Sequence, residues 1–200
     1  MNDALITIDW ERLNSISYKT QLGKSLRNTL RKFNKEDLFD ELNDVITYFT
    51  DLLTEEALPY DNRIKSLQSC SIKYDKYYPS VEVEKVFNDL LGIRIIVEDY
   101  SVVDDLCIPE NVRMVDLRNG KSDDDGYRAV HLYVQKDHQH YPIEVQFMTP
   151  EDRQFNEWMH IYFYKYVDDN GVGKHLRELY ENGMIQNEAQ FRKELAKCAI

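Results

Sequence analysis

Two stretches in the second half of the chain constrain its fold more than any others: Ala129-Val130-His131-Leu132-Tyr133-Val134-Gln135 and Ile143-Glu144-Val145-Gln146-Phe147-Met148. Each alternates side-chain character with period two, as a strand with two unlike faces does. The polar connection Asp137-His138-Gln139-His140-Tyr141-Pro142 is short and predicts an antiparallel hairpin. Val130, Leu132 and Val134 then face a core with Ile143, Val145 and Phe147. The opposite face carries Ala129, His131, Tyr133 and Gln135 beside Glu144, Gln146 and Met148. Such a face is most often solvated. One lined with His, Tyr, Glu and Gln also suits the floor of a polar site.

The rest of the chain mixes strands and helices. Ile93 to Val97 and Val112 to Leu117 read as further strands. Leu38, Leu42, Val45, Phe49 and Leu52 recur at helical spacing, which predicts a helix over about 35–56. Asn34 is its expected N-cap, Glu36 and Asp37 suit the first turn, and Pro59 follows its end. A basic helix is expected over about 18–33. Beyond Glu151, a buried stripe of Phe155, Trp158, Met159, Tyr162 and Phe163 predicts a helix that Asp168-Asp169-Asn170-Gly171 stops, and two more are expected near 174–181 and 187–197. The fold class is therefore α+β. A single domain is expected over residues 1–200, with a core at 61–150 and helical flanks at 1–60 and 151–200.

Composition excludes several classes. The 200 residues include 42% hydrophobic ones, too many for a disordered chain. There is no apolar run long enough to span a bilayer and no secretion signal is expected. Cys70, Cys107 and Cys198 form no paired framework, which fits a reducing cytoplasm. With 25 Lys and Arg against 36 Asp and Glu, the net charge of −11 disfavours a nucleic-acid partner. One local exception is the stretch from Arg63 to Lys76, where Arg63, Lys65, Lys73 and Lys76 oppose Asp75 alone.

Several motifs fail on inspection. Gly23-Lys24-Ser25 and Gly120-Lys121-Ser122 lack the upstream glycine of a phosphate-binding loop, because Tyr18 and Val115 stand in its place. The first triplet reads as helix interior and the second as loop. His138 and His140 have no third ligand nearby and read as a solvated turn. No nucleophile elbow is present.

What remains is an ordered set of three segments: Arg63-Ile64-Lys65-Ser66-Leu67-Gln68-Ser69-Cys70-Ser71-Ile72-Lys73, then Asp89-Leu90-Leu91-Gly92-Ile93-Arg94-Ile95, then Gly126-Tyr127-Arg128-Ala129-Val130-His131 with Pro142-Ile143-Glu144-Val145-Gln146. From Asp61 to Thr149 this set resembles the synthetase domain of the RelA/SpoT family, the alarmone synthetases. The resemblance implies a mixed, mostly antiparallel sheet of nucleotidyltransferase type between helices. It implies transfer of the β,γ-diphosphate of ATP to the 3′-hydroxyl of GDP or GTP, with AMP leaving.

It also implies roles. Arg63, Lys65, Ser69 and Lys73 would hold ATP, with Arg63 and Arg94 stacking on adenine. Asp89 and Glu144 would bind Mg²⁺, a hard cation that takes oxygen ligands. Glu144 would serve either as the second metal ligand or as the group that orients and deprotonates the 3′-hydroxyl. Tyr127 would stack on the acceptor base, a contact worth ~1–3 kcal/mol. Lys121, His131 and Gln146 would complete the acceptor side, and Asn156 is a further candidate. By the same resemblance a homo-oligomer is expected.

Two departures concern the acceptor. Met148 stands where the family commonly has an arginine, and Asp123-Asp124-Asp125 precedes Gly126 where basic residues are common. Three carboxylates there would repel acceptor phosphates unless they point elsewhere. Two rival readings follow: a toxic synthetase that uses adenine nucleotides or the tRNA 3′ end, and a silent nucleotide-binding regulator.

Overall fold

The helix most clearly written in the sequence is the longest one in the protein. In the computed structural model, which describes residues 8–56, 58–164, 166–167 and 169–198, α2 runs over Lys35–Glu55. Asn34 caps it as expected, its side chain accepting from the Asp37 amide at 3.1 Å. Leu38, Leu42, Val45 and Phe49 are buried along one stripe. Before it comes α1 (Trp10–Ser15); after it follow β1 (Asp61–Ile64), α3 (Leu67–Tyr77), α4 (Val83–Val86), β2 (Leu91–Ile96), α5 (Ser101–Asp104), β3 (Val112–Asp116), β4 (Val130–Val134) and β5 (Ile143–Met148). Then come α6 (Pro150–Trp158), a π-helical turn at Met159–Phe163, α7 (Asn170–Glu181) and α8 (Glu188–Cys198).

Five strands form one open, mixed sheet in the order β1-β2-β5-β4-β3, so β4 and β5 are neighbours as the alternation predicts. β1 pairs with β2 antiparallel, Arg63 opposite Gly92 and Asp61 opposite Arg94. The core face is as expected: Val130, Leu132, Val134, Ile143, Val145 and Phe147 are all buried. The polar face is not solvated. Ala129, His131, Glu144 and Met148 are buried too.

The basic segment before α2 departs from expectation. Residues 18–33 do not form a helix; Leu30–Lys32 make a short 3-10 turn. The backbone amides of this segment go to distant partners instead. Thr20 and Leu26 donate to the carbonyls of Gln139 and His138, each at 2.8 Å, and Leu30 donates to Val81 at 2.9 Å. Gly23 takes φ of 66°, a left-handed conformation that breaks helical periodicity. The same contacts cover the β4–β5 connection, so His140 is buried, not solvated, with Nδ1 2.8 Å from Asp137.

Residues 8–95, 106–114 and 132–146 make one compact unit, and residues 96–105, 115–131 and 147–198 a second. The first unit buries the carboxylate of Glu41, which accepts from Thr20 Oγ1 at 2.7 Å and Tyr141 Oη at 2.8 Å. The second has its own apolar cluster of Phe155, Trp158, Met159, Phe163, Leu176, Ile185 and Phe191. In the expected stop signal, Asp168 lies outside the described residues. Asp169 instead caps α7 by accepting from Gly171 N at 2.9 Å.

Candidate active site

The first unit gathers the charged groups that the sequence singles out on the donor side. β1 delivers Arg63 and leads through Lys65 into α3, whose N-cap Ser66 accepts from the Ser69 amide. Ser66 and Ser69 hydroxyls lie 2.9 Å apart. One helical turn beyond Ser69 comes Lys73, on the same side of α3. Both lysines converge on Asp89: Lys73 Nζ is 2.9 Å from Oδ1, and Lys65 Nζ binds Oδ2. All three side chains are less than a third exposed. Burial pushes the Asp89 carboxyl up, but the ammonium groups of Lys73 and Lys65 outweigh it and hold the group below its ordinary value of 3.8. Asp89 is therefore ionised across the physiological range.

Gly92 lies within β2, opposite Arg63. A Cβ placed there would sit 3.6 Å from Glu144 Oε2 and 3.7 Å from the Arg63 carbonyl. The glycine thus leaves bare backbone beside the Glu144 carboxylate. By the pleat, Arg63, Gly92 and Arg94 share one face of the sheet. Arg63 is exposed and Arg94 half-buried, so both guanidinium stems border open space.

Glu144 itself is 6% exposed. Gln146 Nε2 donates to its Oε2 at 2.7 Å, which fixes one oxygen. Tyr133, which the sequence places on this face without a role, also donates to Glu144. Burial first, then the charge and hydrogen bond of Glu144, raise this phenol above the usual tyrosine range, so it stays a donor. The charge of Asp89 adds a smaller push in the same direction. The guanidinium of Arg113 lies 4.3 Å from the centre of the Tyr133 ring.

Among the described residues no three His, Cys, Asp or Glu side chains converge into a closed metal centre. Magnesium asks for less: it is commonly held through one or two carboxylates plus the phosphates of a nucleotide. The ionised Asp89 and the anchored Glu144 fit that donor set in kind. Since both Asp89 oxygens are engaged by lysines, a cation there requires at least one ammonium to move aside.

The second unit holds the Gly126-Tyr127 loop. Lys121 lies 5.5 Å from the centre of the Tyr127 ring, and the His131 ring is 5.6 Å from it. These three expected acceptor residues are thus neighbours, whereas Gln146 belongs to the Glu144 carboxylate. Asn156 is not available to a ligand: it is buried, donates to the Arg128 carbonyl at 2.7 Å and accepts from the Arg128 amide at 3.3 Å. Its amide also lies 3.5 Å from the Met148 sulfur, which is packed in the interior.

The acidic run before Gly126 is largely neutralised within the loop. Asp124 makes a two-pronged pair with Arg128 at 2.7 and 3.0 Å. Asp125 is buried and takes Lys121 Nζ at 2.6 Å, and Asp123 accepts from Asn170 at 2.7 Å. The pairing with Arg128 leads the causes that hold the Asp124 carboxyl below its ordinary value.

A sequence model described as a region found in RelA / SpoT proteins matches residues 62–169. No curated protein matches the chain. Among solved structures, the chain is similar to small alarmone synthetase 1 from Bacillus subtilis bound to its product pppGpp, with 18% identity over 82% of this chain and 89% of that one and a TM-score of 0.44. It is similar to small alarmone synthetase 2 from the same organism at 22% identity, covering 80% and 93%, TM-score 0.44. A GTP pyrophosphokinase family protein from Streptococcus pneumoniae is 19% identical over 80% and 96%, TM-score 0.42.

Proposed function

The chain belongs to the RelA/SpoT family, and from that premise we propose that it transfers the β,γ-diphosphate of ATP to the 3′-hydroxyl of GDP or GTP and releases AMP. The observation that carries this reading is the pairing of an anchored carboxylate, Glu144, with a two-lysine cluster on Asp89 in one unit of the fold. Attack of the 3′-oxygen on the β-phosphorus forms one P–O bond and breaks the bond to the bridging oxygen, which leaves on AMP. Negative charge accumulates on phosphate oxygens, and fixed cations stabilise it.

Lys65, Lys73 and Arg63 supply those cations and Ser69 a hydroxyl, while Arg63 and Arg94, which share one sheet face, stack on adenine. When ATP binds, its phosphates replace Asp89 as the partner of at least one lysine. Asp89 and Glu144 would hold Mg²⁺, which when bound neutralises charge on the ATP phosphates. Gln146 and Tyr133 orient Glu144, whose carboxylate, where it is not a metal ligand, would accept the 3′-hydroxyl proton. Tyr127 offers its ring to guanine, with Lys121 and His131 toward the acceptor phosphates.

The test is direct. Purified protein with magnesium and labelled ATP is offered GDP, GTP, ATP or tRNA in turn. Label on GDP or GTP with stoichiometric AMP is the expected result. Label on adenine nucleotide or tRNA reassigns the acceptor, and bound nucleotide without AMP in any mixture overturns the proposal.

A further inference from the structure

The loop that carries Tyr127 is built from both sides. On one side Asp124, Arg128 and Asn156 tie it down, as described above. On the other side stands α7, which lies beyond the residues that match the family. Its contact with the loop is backbone against backbone. Gly126 has φ of 85°, and a Cβ there would fall 2.5 Å from the Gly173 carbonyl oxygen. Conversely a Cβ on Gly173 would fall 2.2 Å from the Asp125 carbonyl oxygen. Neither position has room for a side chain.

One turn along α7, Arg177 reaches the same loop. It is 2% exposed, and its Nε donates to the Gly126 carbonyl at 2.8 Å. Its terminal nitrogen lies 2.8 Å from Asp152 on α6, and its guanidinium stacks 4.3 Å from the centre of Phe155. Asp152 is in turn held by the Tyr100 hydroxyl at 2.7 Å and by Thr149 Oγ1 at 3.0 Å. The carbonyl of the residue before Tyr127 is therefore held through a chain of polar contacts that runs from Arg177 to Asp152, Tyr100 and Thr149.

We infer that Arg177, seated by Gly173, Asp152 and Tyr100, is a positioning residue that fixes the Tyr127 loop and so sets affinity for the acceptor nucleotide but not for ATP. This rests on the reading of Tyr127 as the acceptor platform. A planar, buried guanidinium can serve Gly126 and Asp152 at once, whereas a lysine ammonium on a flexible stem is a point donor.

Arg177→Lys and Tyr100→Phe in the full chain test it, with Gly173→Ala as a steric probe. Arg177→Lys is expected to raise the KM for the acceptor about tenfold, the fold-change equivalent of losing one charge-assisted hydrogen bond, while the KM for ATP stays within about twofold. Tyr100→Phe shifts the same constant in the same direction by less. Amide exchange at residues 120–128 should accelerate in Arg177→Lys with exchange at 61–77 unchanged, a readout that needs no turnover. Parallel rises in both KM values, an unchanged acceptor KM in whichever of the variants folds, or unaltered exchange in the loop would overturn the inference. Inactivity of the unsubstituted protein toward every acceptor would instead overturn the diphosphate-transfer reading and leave the exchange result to decide the role of Arg177.

Discussion

At the scale of single residues, the proposed chemistry turns on two acids with different surroundings. Glu144 is buried and held by the neutral donors Gln146 and Tyr133, whereas Asp89 is paired with two ammonium groups. Glu144→Gln keeps the shape and removes the basicity. We expect turnover to fall by about 10²–10⁴, with ATP binding retained when measured by calorimetry; normal turnover would remove Glu144 from the reaction. Asp89 answers to pH through stability. Its native pKa lies below the ordinary unfolded value, so the native state binds fewer protons there. Its contribution is complete above about pH 4 and is lost as pH falls through the depressed native value. Asp89→Asn should flatten the acid limb of a Tm-against-pH curve and cost about 1–3 kcal/mol near neutrality, because Lys65 and Lys73 lose their common partner. Asp89, Glu144, Lys65 and Lys73 enter as candidates through the motifs of the family resemblance, and the fold brings Asp89 together with both lysines. The contacts of Tyr133 with Glu144 and of Arg177 with Gly126 are not legible in the sequence: one tyrosine in a strand and one arginine in an amphipathic helix carry no local mark of what they grip.

Elements were legible where periodicity and burial coincide. Alternation in β4 and β5 marks both strands and their core face, since a one-residue slip would move every apolar side chain off that face. The burial of the polar face was hidden, because alternation says which side chains share a face and not what covers it. β1 carries no sequence signal: Asp61-Asn62-Arg63-Ile64 is too short and too exposed to show a pattern, and its pairing with β2 decides its state. Residues 18–33, expected as a basic helix, are irregular because Gly23 takes a left-handed conformation and the amides of Thr20, Leu26 and Leu30 bond to distant carbonyls. That irregular segment depends on Glu41. Glu41→Ala would leave the buried hydroxyls of Thr20 and Tyr141 without their acceptor, and should lower stability by about 2–4 kcal/mol. The check is a urea titration, in which the midpoint should drop with little change in slope; an unmoved midpoint would mean the segment is held by its backbone bonds alone.

For the molecule as a whole, a net charge of −11 sets a repulsive background for nucleotides. Screening at physiological salt confines that background to about 8 Å, while Lys65, Lys73 and Arg63 would meet phosphate in direct contact. The KM for ATP should therefore rise as salt is added; a fall would show that the distant acids, and not the local cations, govern binding. No described helix is long and apolar enough to cross a membrane. One practical consequence lies in the facing glycines of the second unit. A gene cut to the stretch that matches the family, ending at residue 169, would discard the backbone wall against which the Tyr127 loop is moulded. Transplanting that stretch onto another tail would work only where the newcomer offers one bare α-carbon facing Gly126 and a guanidinium one turn later.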